Sequence, residues 1–133
     1  MLTTIQTTII DTLTALQTFK TVDAWRGDLD DLLKAPARLP AAFVLFARGD
    51  YQRPRTIGAT IALANLGWTV IVVTRNLGDR KGTDSYRLLE DAVTALTRLP
   101  VGCGWLWPET VELVEAGNGV AVYGVQFGVE QIT

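Results

Sequence analysis

The run Trp68-Thr69-Val70-Ile71-Val72-Val73-Thr74-Arg75-Asn76-Leu77 decides the fold. Seven of its ten residues are β-branched or aromatic, types that fit a pleated surface. Strand alternation puts Trp68, Val70, Val72 and Thr74 on one face and Thr69, Ile71, Val73 and Arg75 on the other. Both faces are largely apolar, which predicts an inner strand covered on both sides. The polar exit Arg75-Asn76-Leu77-Gly78-Asp79-Arg80-Lys81 then turns to solvent. The strand is scaffold, and its exit is a candidate working surface.

Upstream, Leu2, Ile5, Ile9, Leu13 and Leu16 recur at spacings of three and four, predicting an N-terminal amphipathic helix with Thr3 or Thr4 as its cap. Its opposite face is rich in threonine rather than basic residues, which favours docking on a core over a membrane surface. Phe19 to Trp25 reads as a short strand, and Gly27 to Lys34 as a brief helical turn. Pro36 and Pro40 bracket a turn before a second apolar strand, Ala41 to Ala47. The segment Arg48-Gly49-Asp50-Tyr51-Gln52-Arg53-Pro54-Arg55 reads as a polar turn; its Arg-Gly-Asp spelling is too short to indicate adhesion. Between Thr56 and Asn65 the alternation of Ile57, Ala59 and Ile61 predicts a strand, with a hairpin turn at Asn65-Leu66-Gly67 leading into Trp68.

Downstream, Thr83 or Asp84 can cap the longest helix, near residues 84–98. Tyr86, Leu89, Val93 and Leu96 share its inner face, Arg87 and Asp91 can pair one turn apart, and Pro100 stops it. Thr110 to Ala116 alternates Val111 and Leu113 against Glu112 and Val114. Gly117-Asn118-Gly119 signals a hairpin into Val120 to Val129, where Ala121, Tyr123, Val125, Phe127 and Val129 share a face. The expected fold is α+β: a single mixed, mainly antiparallel sheet packed by the N-terminal helix and the long helix. One domain across residues 1–133 is expected from the length and the absence of a linker.

Composition narrows the chemistry. Formal net charge is −2, which does not suggest a general nucleic-acid binder. With no histidine and a single cysteine, Cys103, the usual zinc sets, histidine-based nucleophilic triads and intramolecular disulfides are all excluded. The N-terminus does not read as a signal peptide, and no apolar run approaches a bilayer's span, which is consistent with assembly in a cytoplasm. Ser85, the only serine, falls in a helix cap. Asp28, Asp30 and Asp31 have a D-x-D spacing but lack the glycine and glutamate of a calcium loop, and carboxylates suit a helix start. Gly78-Asp79-Arg80-Lys81-Gly82 can present amides to an anion but matches neither phosphate-binding fingerprint, and Asp79 would repel the ligand. No catalytic residue, metal ligand or cofactor is expected.

What remains is surface. Arg48, Arg53 and Arg55, with Asp50 among them, lie on one segment, and Arg75, Arg80 and Lys81 on another. These seven residues are the candidate protein interface. Acidic residues gather elsewhere, at Asp28 to Asp31 and Glu109 to Glu115. Opposite charges on different parts of one protomer suit a head-to-tail ring, against the alternative of a solvated surface of mixed charge.

The order of several segments resembles a known family. They are the N-terminal helix, Gly27 to Asp31, Arg38-Leu39-Pro40-Ala41-Ala42-Phe43-Val44, Val72 to Leu77, Ser85-Tyr86-Arg87-Leu88-Leu89-Glu90-Asp91-Ala92, and Asn118-Gly119-Val120-Ala121-Val122-Tyr123. Together they resemble the tail terminators of Mu-like phages and prophages, small proteins of contractile tails. The resemblance implies a structural virion protein without catalytic residues, assembled in the host bacterial cytoplasm. It implies a homo-oligomeric ring, usually a hexamer, on the head-proximal end of the tail tube. Such a ring stops tube growth and offers the head-joining surface, so its partners are the tube protein, the sheath and the head–tail connector. No membrane or specific nucleic acid is implied. The alternatives are another tail or head–tail completion protein, and a small anion-binding domain or enzyme.

Overall fold

Thirteen consecutive residue pairs join strand β3 (Leu63–Arg75) to β7 (Val120–Ile132), from Leu63 opposite Ile132 to Arg75 opposite Val120. This antiparallel pair is the middle of a five-stranded sheet in the computed structural model, which describes residues 1–25, 39–52, 63–75, 83–117 and 119–132. Outward from β3 lie β2 (Ala41–Tyr51) and then β1 (Thr21–Ala24). Beyond β7 lies β6 (Trp107–Gly117), which forms the other edge. Among the described strands only β1 and β2 run parallel, so the sheet is mixed and mainly antiparallel. Helices α1 (Leu2–Ala15) and α2 (Thr83–Leu96) complete the α+β fold.

The even-numbered residues of β3 explain where the helices sit. Ala64, Leu66, Trp68, Val70, Val72 and Thr74 are all buried. They share a core with Ile5, Ile9 and Leu13 of α1 and with Leu89, Ala92 and Leu96 of α2. Cross-strand partners Val125 and Phe127 extend this face along β7, and Phe46 meets Trp68 edge-on at 5.4 Å. The Trp68 indole N–H has no hydrogen-bond partner, a cost that the apolar burial of the ring outweighs. The opposite face is covered at one end, where Leu39, Ala41, Val73, Val120 and Val122 form a second buried cluster. Ile71 is half-buried and Arg75 exposed, so coverage there is partial.

Helix α1 has many threonines because they bond to their own helix. Thr8, Thr12 and Thr14 each donate to the carbonyl four residues back, at 2.8–2.9 Å. The helix starts at Leu2 with Met1 as cap residue and no side-chain cap, so Thr3 and Thr4 lie within its first turn instead of capping it. In α2 the inner face begins with Ser85, not Tyr86, which is 51% exposed. The Ser85 hydroxyl meets that of Thr74 at 2.8 Å, tying the helix to the centre of the sheet and satisfying two buried hydroxyls at once. Helices α1 and α2 each have fourteen residues, and α2 ends at Leu96, four residues before Pro100. The Arg87–Asp91 ion pair expected from spacing does not form.

Two strand boundaries differ from the sequence expectation. β3 runs straight through Asn65-Leu66-Gly67, so no hairpin turns there. β2 continues past Ala47 through Arg48, Gly49, Asp50 and Tyr51, residues expected in a turn. Pairing keeps these residues extended despite their turn-like composition, with Arg48 opposite Gly67 and Asp50 opposite Asn65. The hairpin at Gly117 forms as expected, with Gly117 opposite Val120 and Gly119 at φ 74°. The helical turn at Gly27–Lys34 with its aspartates, the Thr56–Ala62 strand and the Gly78–Gly82 loop lie outside the described residues.

The Thr74–Ser85 bond yields a stability test by urea denaturation. Ser85→Ala strands a buried hydroxyl on Thr74 and is expected to cost about 1–3 kcal/mol. Adding Thr74→Val removes the stranded group, so the double variant should be more stable than Ser85→Ala alone.

Candidate functional site

Between Phe46 and Arg48 the pairing register of β2 on β3 shifts by one residue. Such a bulge reverses which side chains face the core. Beyond it, Arg48 and Asp50 lie on the face away from the helices, opposite Gly67 and Asn65. Their side chains pair with each other in solvent, so the Arg-Gly-Asp tripeptide is a strand closed by its own ion pair.

Arg48 and Asp50 border a hollow of about 830 Å³ at this end of the sheet. Trp105, Trp107, Glu109 and Glu130 also line it. Its floor is a pair of glycines, Gly67 and Gly128, directly opposite each other on the two central strands. The Arg48 side chain lies where a Cβ on Gly67 would sit, and the Glu109 carboxylate does the same over Gly128. Two missing side chains thus let a cation and an anion lie flat on the sheet.

A two-stranded hairpin walls this hollow. It consists of β4 (Pro100–Val101) and β5 (Gly104–Trp105), turning at Gly102 with φ 58°. Gln131 anchors it: its amide donates to the Val101 carbonyl at 2.8 Å, and its side-chain oxygen accepts the Cys103 N–H at 3.2 Å. Gly104 lies so close to the Glu130 carbonyl that no larger residue fits. Leu106 is buried in the core, and this fixes its neighbours outward: Trp105 is 58% and Trp107 47% exposed. Arg98, itself at φ 65°, lies over the Trp107 ring at 5.6 Å, a cation–π contact.

Edge strand β6 runs from this hollow along the sheet. Both faces of the strand are open, since Val111, Leu113 and Val114 are 46–56% exposed. Register shifts between Pro108 and Thr110 and between Leu113 and Glu115 break its alternation. The strand presents Glu109, Glu112 and Glu115 and no cation.

The candidate interface residues therefore separate. Arg75 lies at the far end of β3, eight residues beyond Gly67 and so about 26 Å from the hollow at ~3.3 Å per residue. There it borders a smaller hollow of about 410 Å³ with Arg87 and Asp91. Arg53, Arg55, Arg80 and Lys81 lie outside the described residues. The sequence reading missed Trp105, Trp107, Gly67 and Gly128. The Trp-Leu-Trp alternation was a usable signal for the first two, but nothing in the sequence pairs the two glycines.

Among the described residues no group of histidine, cysteine, aspartate and glutamate is placed to hold a metal, and no helix is long and apolar enough to cross a membrane. Exposed tryptophans, a glycine floor and fixed charges make a surface suited to protein contact.

Comparison with known proteins gives this surface a setting. The chain belongs to the family described as Bacteriophage Mu, Gp37, whose model matches residues 1–132. It is accordingly a phage structural protein of a Mu-like family. Among solved structures it is similar to a chain in the virion of a native gene transfer agent particle, with a TM-score of 0.60 and 16% identity. That match covers 96% of this chain and 93% of the other, and at such identity it shows a shared fold. No curated protein matches.

Replacing Gln131 with leucine is expected to release the β4–β5 hairpin while keeping the sheet. Amide exchange at Cys103 should rise by at least about tenfold, consistent with a lost hydrogen bond of ~1.5 kcal/mol. Unchanged protection would show that Gln131 does not hold the wall.

Proposed function

We propose that this protein is a tail terminator, a ring that adds to the head-proximal end of the tail tube. It stops tube polymerisation and presents the head-joining surface. The observation that carries this reading is the match to a Mu-like phage family over nearly the whole chain. The fold supports it, because the sheet has its helices on one face and a polar, aromatic hollow on the other. A one-sided sheet with charged ends is a suitable unit for assembly by contact, with no chemical step.

In this proposal the ring is a hexamer. The segments Arg48–Arg55 and Arg75–Lys81, which include Arg53, Arg55, Arg80 and Lys81, meet the neighbouring protomer, the tube or the head–tail connector. The sheath lies nearby as a further partner. Binding is the whole mechanism: a bound ring occupies the surface that the next tube subunit would take.

Deleting the gene in a phage or prophage that carries it tests the role. Electron microscopy of the lysate is expected to show tails of irregular length and separate heads, with both defects rescued by the wild-type chain. The double reversal Arg53→Glu with Arg80→Glu should fail to rescue. Tails of normal length joined to heads in the deletion strain would overturn the terminator reading.

A further inference from the structure

Among the described residues, the two ends of the sheet carry opposite charge. At the hollow, Arg48 is already neutralised by Asp50, which leaves Glu109 and Glu130 exposed without a basic partner among the described residues. Arg98 sits at the rim but is held against Trp107 and does not line the hollow. At the other end Arg75 and Arg87 are exposed and have no acidic partner among the described residues, and one carboxylate, Asp91, shares their hollow. Lys20 adds a further exposed cation there, its backbone N–H bound to the Pro40 carbonyl at 2.8 Å.

We propose that the Trp105–Trp107 hollow, through Glu109 and Glu130, receives the Arg75–Arg87 corner of a second copy of this chain. Charge complementarity selects this occupant. The hollow offers two uncompensated carboxylates and an exposed indole, Trp105, and a guanidinium is the side chain that satisfies both kinds of group. The same chain carries these two guanidiniums at its opposite end.

The geometry also constrains the pairing. Contact between like ends would bring acid to acid and cation to cation, so the unlike ends, about 26 Å apart, are the ones that meet, and in a ring they meet head to tail. Head-to-tail joining closes into a ring when the rotation per copy divides a full turn. This contact rests on the ring reading above and names the surfaces by which its protomers would meet.

Two double variants test it, and all four positions are exposed, so folding should be retained and can be checked by circular dichroism. In Glu109→Lys with Glu130→Lys both ends of the chain are positive, and in Arg75→Glu with Arg87→Glu both are negative. Sedimentation of purified wild-type protein at low salt should show self-association that weakens as salt is raised. Each double variant alone is expected to associate at least about tenfold more weakly, as expected for like-charge contacts. An equimolar mixture should regain association, because each variant supplies the sign that the other lost. A chain carrying all four reversals should regain it as well. A wild-type chain that stays monomeric, a double variant that associates like wild type, or a mixture that stays dissociated would each overturn the contact. Mass in solution reports on this contact, whereas tail length reports on the terminator role, so either can fail alone.

Discussion

Everything in this molecule depends on the thirteen-residue pairing of β3 with β7. Alternation along these two strands sends Trp68, Val70 and Val72, with Val125 and Phe127, to one side, and both helices dock there. The register is held firmly because a slip of one residue would exchange this apolar row for Thr69, Gln126 and the glycines. Register also places Gly67 beside Gly128, so the pairing that builds the core opens the floor of the hollow on the far side. Core and hollow are two faces of one alignment.

Much of this was legible in the sequence, where one periodicity prevailed. The strand from Trp68 to Arg75 and the helix stripes of Ile5, Ile9 and Leu13 and of Leu89 and Leu96 all follow simple spacing rules. The signals failed where two devices competed. Asn65 and Gly67 have turn chemistry, yet Gly67 serves to admit the Arg48 side chain across the sheet. Arg48 to Tyr51 has turn composition, yet pairing with β3 keeps it extended, and the bulge before it inverts the faces. Bulges are set by the partner strand, so single-strand patterns cannot show them. Tyr86 and Ser85 exchanged places for a related reason: a polar residue took the inner position because Thr74 waits there.

The arrangement of the candidate residues was not legible in the sequence. Sequence brings Arg48 and Asp50 together as a polar segment, and the structure joins them as a closed pair beside two tryptophans. The acidic edge strand follows a similar logic. β6 is long and exposes Val111, Leu113 and Val114, which would invite indiscriminate pairing. Pro108, two register shifts and three glutamates blunt that edge.

The position of β7 has a consequence for how the chain comes to be folded. β7 is central in space but follows every other described strand in sequence. Until the residues from Val120 onward are made, the chain contains the β2 partner of β3 but not β7, and β6 lacks the strand it pairs with. Closing that gap links residues at least 45 positions apart, from Arg75 to Val120, a step whose entropy must be met before the core rewards it. The complete hollow needs Gly128, Glu130 and Gln131, which come from this last strand. The hollow of a nascent copy is therefore incomplete until this last strand is in place.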